Sequence, residues 1–318
     1  MTNKSNDNGR SFEFVCINEL KNQISKTRKV SIIKNSSYEA AEEAYKKIPE
    51  ELQAKHLKSA ETAVLTLFEL EPLILEDGND ELELLIQPDE KGEEGDVRDV
   101  VIIRRNIKWE IGLSLKHNHE AAKHPRLSRK LDFGKSWYQI PCSSEYWDKV
   151  TPIFKDLEIK HDNKVLWEQI PNKDDNVYIP LLDAFMNEIK KVYSEDKTLP
   201  EKLVSFILGK YDFYKVISID QKEEVKIIPF NLRGSLNQES QFVPRKKIIE
   251  ISSLPTEIVL LRYKPNSKTT IEMYMNNGWQ FSFRLHNASK TVEPSLKFDV
   301  QITGMPSTIL TIEKKWNT

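Results

Sequence analysis

Asp96, Asp99, Glu110 and Lys116 fall within one short stretch, GDVRDVVIIRRNIKWEIGLSLKHNH, residues 95–119. Two apolar runs, 97–104 and 107–116, flank Arg105-Asn106 and read as a hairpin closed by a two-residue turn. In that register Arg104 faces Ile107, Asp99 faces Gly112 and Val97 faces Ser114. Side chains alternate along strands, so Asp99, Glu110, Gly112, Ser114 and Lys116 share one face, while Asp96 points to the other. Gly112 leaves open space beside the acid for an ion or a phosphate. This set suits phosphodiester hydrolysis. Mg2+ takes oxygen ligands and is held by one or two carboxylates together with the substrate phosphate. A nearby lysine orients or deprotonates the attacking water and stabilises developing charge. The same pattern without chemistry is a solvated hairpin face carrying an ion pair, and a one-residue slip exchanges the faces.

Polar and basic residues follow the lysine. His117, Asn118 and His119 come first, then an irregular basic segment with Lys123, Arg126 and Ser128. Their types suit phosphate contacts and, for arginine, bidentate pairing with guanine. The spacing of His117 and His119 also admits an HNH-type nuclease, although such a fold needs a further His or Asn downstream and often adds cysteine pairs. Near the far end, FRLHNAS places Arg284, His286 and Asn287 where a strand runs into a loop, a common place for recognition. Asn287 there is equally suited to capping a turn. Arg233 and the run Arg245-Lys246-Lys247 are weaker phosphate candidates.

These residues need elements to hold them. Phe12, Val15, Cys16 and Leu20 form an apolar stripe that predicts a helix over 10–27. Residues 38–70 suit one or two more helices, and ELELLIQ, residues 81–87, a strand. PDEKGEEG reads as an acidic turn, 117–135 as irregular and 144–211 as mostly helical. From Phe213 onward come short β-rich runs: VISID, EVKIIPF, KIIEIS, EIVLLRY, TIEMYM, WQFSFRL and LKFDVQI. The expected organisation is an α/β front part, 1–211, with helical insertions, and a β-rich part, 212–318, that packs against it and is largely antiparallel.

The chain of 318 residues is 30% charged and 39% apolar, which is globular composition without an apolar run of membrane-spanning length. Its N-terminus has no apolar signal core, and its two cysteines make neither a disulfide framework nor a metal spacing, so a reducing cytoplasm is expected. The net charge of -2 hides an asymmetry. Residues 69–99 hold 13 acids and two bases, leaving a net +9 on the remainder. That distribution fits a basic working surface with an acidic segment set apart or used for metal.

The stretch 95–128, with Asp99 before one apolar strand and Lys116 ending the next, resembles the PD-(D/E)xK nuclease core. The whole string, GDVRDVVIIRRNIKWEIGLSLKHNHEAAKHPRLS, is similar to the HaeIII-type restriction endonucleases. So are SNDNGRSFEFVCINEL near the N-terminus and GWQFSFRLHNASKTVEPSLKFDVQITGMP near the C-terminus, so the resemblance spans most of the chain. It implies a restriction-endonuclease-like α/β core with flanking helices and a β-rich C-terminal part used in DNA recognition. It further implies a Mg2+-dependent type II enzyme that cuts double-stranded DNA at GGCC and leaves 5′-phosphates. A cognate DNA methyltransferase would belong to the same restriction-modification system, and a homodimer would suit a two-fold site. Asp99 would bind metal and Lys116 would be the lysine of the motif. The second acid of the motif belongs two residues before that lysine, where this chain has Ser114. Candidates to replace it are Glu13, on a helix that packs beside the metal site in this core, then Glu110, then Asp96. With Ser114 in that position, a sequence-specific DNA-binding protein without catalysis is the reading from another class.

Overall fold

The predicted apolar stripe of the first helix is buried: Phe12, Val15, Cys16, Ile17, Leu20 and Ile24 all lie inside helix α1, Lys4–Ile24. The computed structural model describes residues 4–93 and 95–316. After α1 come β1 (Val30–Ile33), α2 (Ser36–Lys47) and α3 (Glu50–Leu70). Asn35 starts α2 by accepting the Tyr38 N–H at 2.9 Å, which satisfies one orphan donor of the first turn. Then follow β2 (Leu82–Ile86), the short α4 (Glu90–Glu93), β3 (Val100–Arg104) and β4 (Trp109–His117). The acidic turn expected at 88–95 thus contains one helical turn. A three-residue strand, β5 (Arg126–Ser128), interrupts the segment expected to be irregular. Helices α5 (Phe133–Tyr138), α6 (Ser144–Asp162), α7 (Ile179–Glu195) and α8 (Leu199–Leu208) fill the helical stretch. Strands β6 (Phe213–Ile219), β7 (Glu224–Phe230), β8 (Ile258–Tyr263), β9 (Thr270–Met275), β10 (Gln280–His286), β11 (Ser295–Gly304) and β12 (Ile312–Lys315) complete the chain. The fold is mixed α/β, with a β-rich C-terminal part.

Two compact units are built from interleaved segments. Unit 1 takes residues 1–120, 209–252 and 307–318, and unit 2 takes 121–208 and 253–306. Gly209, near the break expected at 211, is where the chain re-enters unit 1. Unit 1 holds a sheet in the order β1-β2-β3-β4-β6-β7-β12. The β1/β2 and β4/β6 pairs are parallel and the others antiparallel. Trp109, Ile111, Leu113 and Leu115 of β4 alternate into one core with α1 and α3. That alternation sends Glu110, Gly112, Ser114 and Lys116 to the opposite face.

Unit 2 holds an antiparallel sheet, β5-β11-β10-β9-β8. Its core is aromatic. Phe133, Trp137, Phe185, Phe283 and Phe298 contact one another at centroid separations of 5.0–6.4 Å.

One expected strand, KIIEIS, does not form. Side-chain amides take its backbone instead. Asn237 Oδ1 accepts the Ile249 N–H at 3.1 Å, and Asn231 donates to the Ile249 carbonyl at 3.4 Å. With its N–H and carbonyl satisfied in this way, Ile249 needs no partner strand. No helix among the described residues is long and apolar enough to cross a membrane.

Candidate active site

The hairpin β3–β4 forms, but its connection is longer than the expected two-residue turn. Arg105–Ile107 make a 3-10 turn and Lys108 adopts the left-handed conformation at φ 51°. The pairing is therefore Arg104 with Trp109 and Val100 with Leu113, two residues away from the expected register. A shift of two leaves the paired strand residues on their predicted faces, whereas a shift of one would have reversed them. Asp96 lies before β3, which starts at Val100, and joins Glu110 on Arg98 instead of pointing to the other face. Asp99 consequently lies beside Leu113 to Leu115 rather than opposite Gly112. Its N–H bonds the Leu113 carbonyl at 2.7 Å. Its Oδ2 accepts the Leu115 N–H at 2.6 Å and the Lys116 ammonium at 3.1 Å. Both side chains stay partly open to solvent, Asp99 at 26% and Lys116 at 29%. The strand pairing has therefore built the predicted acid–lysine pair from residues 17 apart in sequence.

The space expected beside Gly112 is filled. A Cβ there would meet Arg98 Cδ at 2.0 Å, so the glycine lets the Arg98 stem cross β4. Arg98 then organises two of the three candidate acids. Its Nε and Nη2 grip Asp96 at 2.8 and 2.7 Å, and its Nη1 reaches Glu110 at 2.9 Å. Gln87 also donates to Asp96 at 2.6 Å. Burial alone would raise the Asp96 carboxyl, but the Arg98 hydrogen bonds and charge outweigh it and hold the group below its ordinary range. Asp96 and Glu110 thus serve Arg98, not the lysine.

Glu13 behaves differently. Burial, and then the like charge of Asp99, push its carboxyl up to about 8, against the attraction of Lys116 and Arg10. It is the candidate replacement acid on which both Asp99 and Lys116 act. Ser114 is buried and lies beside Lys215 in the β4/β6 pairing. The literal Pro88-Asp89 is a surface feature, with Asp89 paired to Arg10 at 2.8 Å.

The residues after Lys116 are placed less uniformly than their shared polarity suggested. His117 turns inward within unit 1. Its Nε2 meets both oxygens of Asp220 at 3.0 Å, and its ring packs edge-on against His56 at 4.6 Å. Burial, then the neighbouring His117, push His56 down to about 3. Asn118 adopts φ 53°, bonds the Ser218 carbonyl through its N–H, and accepts the Asp220 N–H at 2.9 Å. It is a corner residue that ties the end of β4 to the turn after β6. His119 is exposed.

In unit 2, Lys123 lies over the Phe206 ring and donates to the Phe206 carbonyl at 2.7 Å. Burial pushes its ammonium down to about 8. Ser128 is buried and caps the following turn, accepting from the Lys130 and Leu131 N–H groups. Asn287 likewise caps its loop, donating to the Ser289 and Thr291 carbonyls and accepting the Glu293 N–H. Arg126 reaches Ser295 at 2.9 Å and that same Glu293 at 3.3 Å, which brings it to the Asn287 loop. Arg284 is exposed on β10 opposite Asp299, and His286 bonds the Asn287 carbonyl at 3.2 Å. Arg126 and Arg284 remain the partly open cations of this unit's candidates.

Arg98, His56 and Asp220 were missed in the sequence reading. Asp220 lies 103 residues from His117, and no local pattern links them. Arg98 had a local signal, since it stands between the two aspartates, with a glycine on the next strand to make room for it.

The described residues fit a divalent ion by the chemistry of their donors. Asp99 and Glu13 offer only carboxylate oxygens, and their mutual repulsion is what a hard cation relieves. The HaeIII restriction endonuclease family model matches residues 9–306. The Type II restriction enzyme HaeIII of Haemophilus aegyptius is 49% identical over 317 residues, covering 99% of each chain. No solved structure matches significantly. The chain belongs to the HaeIII restriction endonuclease family.

Proposed function

We propose that this type II restriction endonuclease hydrolyses double-stranded DNA at GGCC, with Mg2+ as cofactor, and leaves 5′-phosphates and 3′-hydroxyls. The observation that carries the chemistry is the Lys116 ammonium 3.1 Å from Asp99 Oδ2, with both side chains partly open to solvent on one face. The GGCC site rests on the resemblance to the HaeIII-type enzymes. A cognate methyltransferase protecting the same site and a homodimeric assembly belong to the same reading. The engagement of His117 by Asp220 inside unit 1 weighs against an HNH-type mechanism.

Asp99 is fixed by the Leu115 N–H and the Lys116 ammonium, so its second oxygen keeps a set direction. Glu13 supplies the second carboxylate in place of Ser114. When bound there, Mg2+ would neutralise phosphate charge and acidify a water. Lys116 orients the attacking water by hydrogen bonding and stabilises the charge that grows on the phosphoryl oxygens. Leu115, held to Asp99 through its backbone, sets the reach of Lys116.

Plasmid DNA incubated with the protein should give discrete fragments with Mg2+ and none with EDTA, and mapping of the ends should locate GGCC. Asp99→Ala and Lys116→Ala should each lower the cleavage rate by at least about a hundredfold. Cleavage at the parental rate by either variant would remove the assigned pair.

A further inference from the structure

The face of β4 that carries Lys116 continues across two more strands. Lys116 is paired with Ile217 on β6, and Ile217 with Lys226 on β7. Residues so paired share a face, and strands lie about 4.8 Å apart, so the Lys226 backbone stands about 10 Å from that of Lys116. That is the rise of about three base steps of duplex DNA. Lys215 lies between them on β6, two residues before Ile217 and on the same face. It is buried and donates to the Glu120 carbonyl. Burial, then the neighbouring Lys116, push its ammonium down to about 8.

Glu120 is held by this row from two directions. Lys215 takes its main chain, and Lys226 takes its carboxylate at 3.1 Å. The Glu120 side chain is 61% exposed and that of Lys226 22%. An open carboxylate therefore sits on a lysine about three base steps from the acid–lysine pair. We propose that Lys226 binds a DNA backbone phosphate near the scissile bond, and that the Glu120 carboxylate holds this place until DNA displaces it. The inference rests on cleavage occurring at Asp99 and Lys116. An exposed ion pair contributes little, so exchanging one anion for another costs little, while the phosphate contact gains from counterion release. With the Glu120 main chain fixed by Lys215, only its side chain has to move.

The test is metal-free binding of fluorescent duplexes, one with GGCC and one of equal length without it, across a salt series. Lys226→Gln should weaken both duplexes alike and lower the slope of log K against log salt by about 1. Lys226→Arg should keep the parental slope, which separates loss of charge from misfolding. Glu120→Gln should tighten both duplexes by up to about fivefold. A parental slope in Lys226→Gln removes the phosphate contact, and parental affinity in Glu120→Gln removes the competition. If the unsubstituted protein cuts DNA while Lys226→Gln keeps its slope, this inference fails and the cleavage reading stands. If the unsubstituted protein neither binds nor cuts duplex DNA, the cleavage reading itself fails.

Discussion

Glu13 shows how one side chain can favour a proton in the protein alone and a carboxylate beside a cation. With its carboxyl pushed up to about 8, it carries a proton near neutral pH. A divalent cation needs the carboxylate, so in the proposed site binding must release that proton. The sign follows directly. Below about pH 8 each unit of acidity weakens Mg2+ binding, by up to tenfold, and above it the dependence disappears. Calorimetric titration should show nearly one proton released per Mg2+ at pH 7 and almost none at pH 9. Glu13→Gln should bind Mg2+ more weakly and without this dependence. An unsubstituted protein that binds Mg2+ equally at pH 6 and pH 9 would exclude Glu13 as the replacement acid. Its location on a helix was legible from the apolar stripe around it. Its protonation was not, because its burial and then the approach of Asp99 arise only on folding.

At the scale of elements, the β3–β4 hairpin was read correctly in the faces of its paired residues and incorrectly in its register and in Asp96, which lies before the strand. Alternation of apolar residues determines the face, and it survived a two-residue change in loop length. Nothing local in Arg105–Lys108 announced the 3-10 turn, since no glycine marks the left-handed position that Lys108 takes. The glycine that matters is Gly112, where Arg98 crosses the strand to hold Asp96 and Glu110. Gly112→Ala should push that arginine aside and leave the buried Asp96 short of its partner. A loss of about 1–3 kcal/mol in urea unfolding is expected. Cleavage should fall as well, because Asp99 is the residue next to Arg98. Unchanged stability would mean that Arg98 does not need the space over Gly112. The missing strand at KIIEIS teaches the complementary point. Its composition favours a strand, but Asn231 and Asn237, 18 and 12 residues before Ile249, satisfy the backbone groups of that residue first.

At the scale of the whole molecule, the interleaving of segments was the least legible property, because it depends on pairings between residues far apart in sequence. Strand β6 joins β4 after the chain has built the helices of unit 2, and β12 returns to the same sheet from the end of the chain. That long-range assembly buries two titratable groups whose effects on unit 1 oppose each other. Burial lifts Glu71 to about 7, against hydrogen bonds from Tyr214 and the Asn237 N–H. The folded state therefore keeps a proton that the unfolded chain releases above about 4.5, and stability falls as pH rises from there to about 7. His56, pushed down to about 3, stays neutral when folded, while the unfolded chain takes up a proton below about 6.5. Its contribution is lost as pH falls from about 6.5 towards 3. Between about 4.5 and 6.5 these two slopes cancel, so the raised carboxyl of Glu13, pushed up to about 8, leaves a net fall in stability as pH rises, and the fall steepens above 6.5. Hydrogen exchange of the β2 to β4 amides, followed from pH 4 to 8 and corrected for intrinsic rates, reads this stability in unit 1. Glu71→Gln should flatten the profile between about pH 4.5 and 6.5 and make the fall between pH 6.5 and 7 shallower, leaving the part that Glu13 contributes. If that variant keeps the parental profile, Glu71 is ionised in the folded protein and Tyr214 is bonded to a buried carboxylate instead of a carboxylic acid.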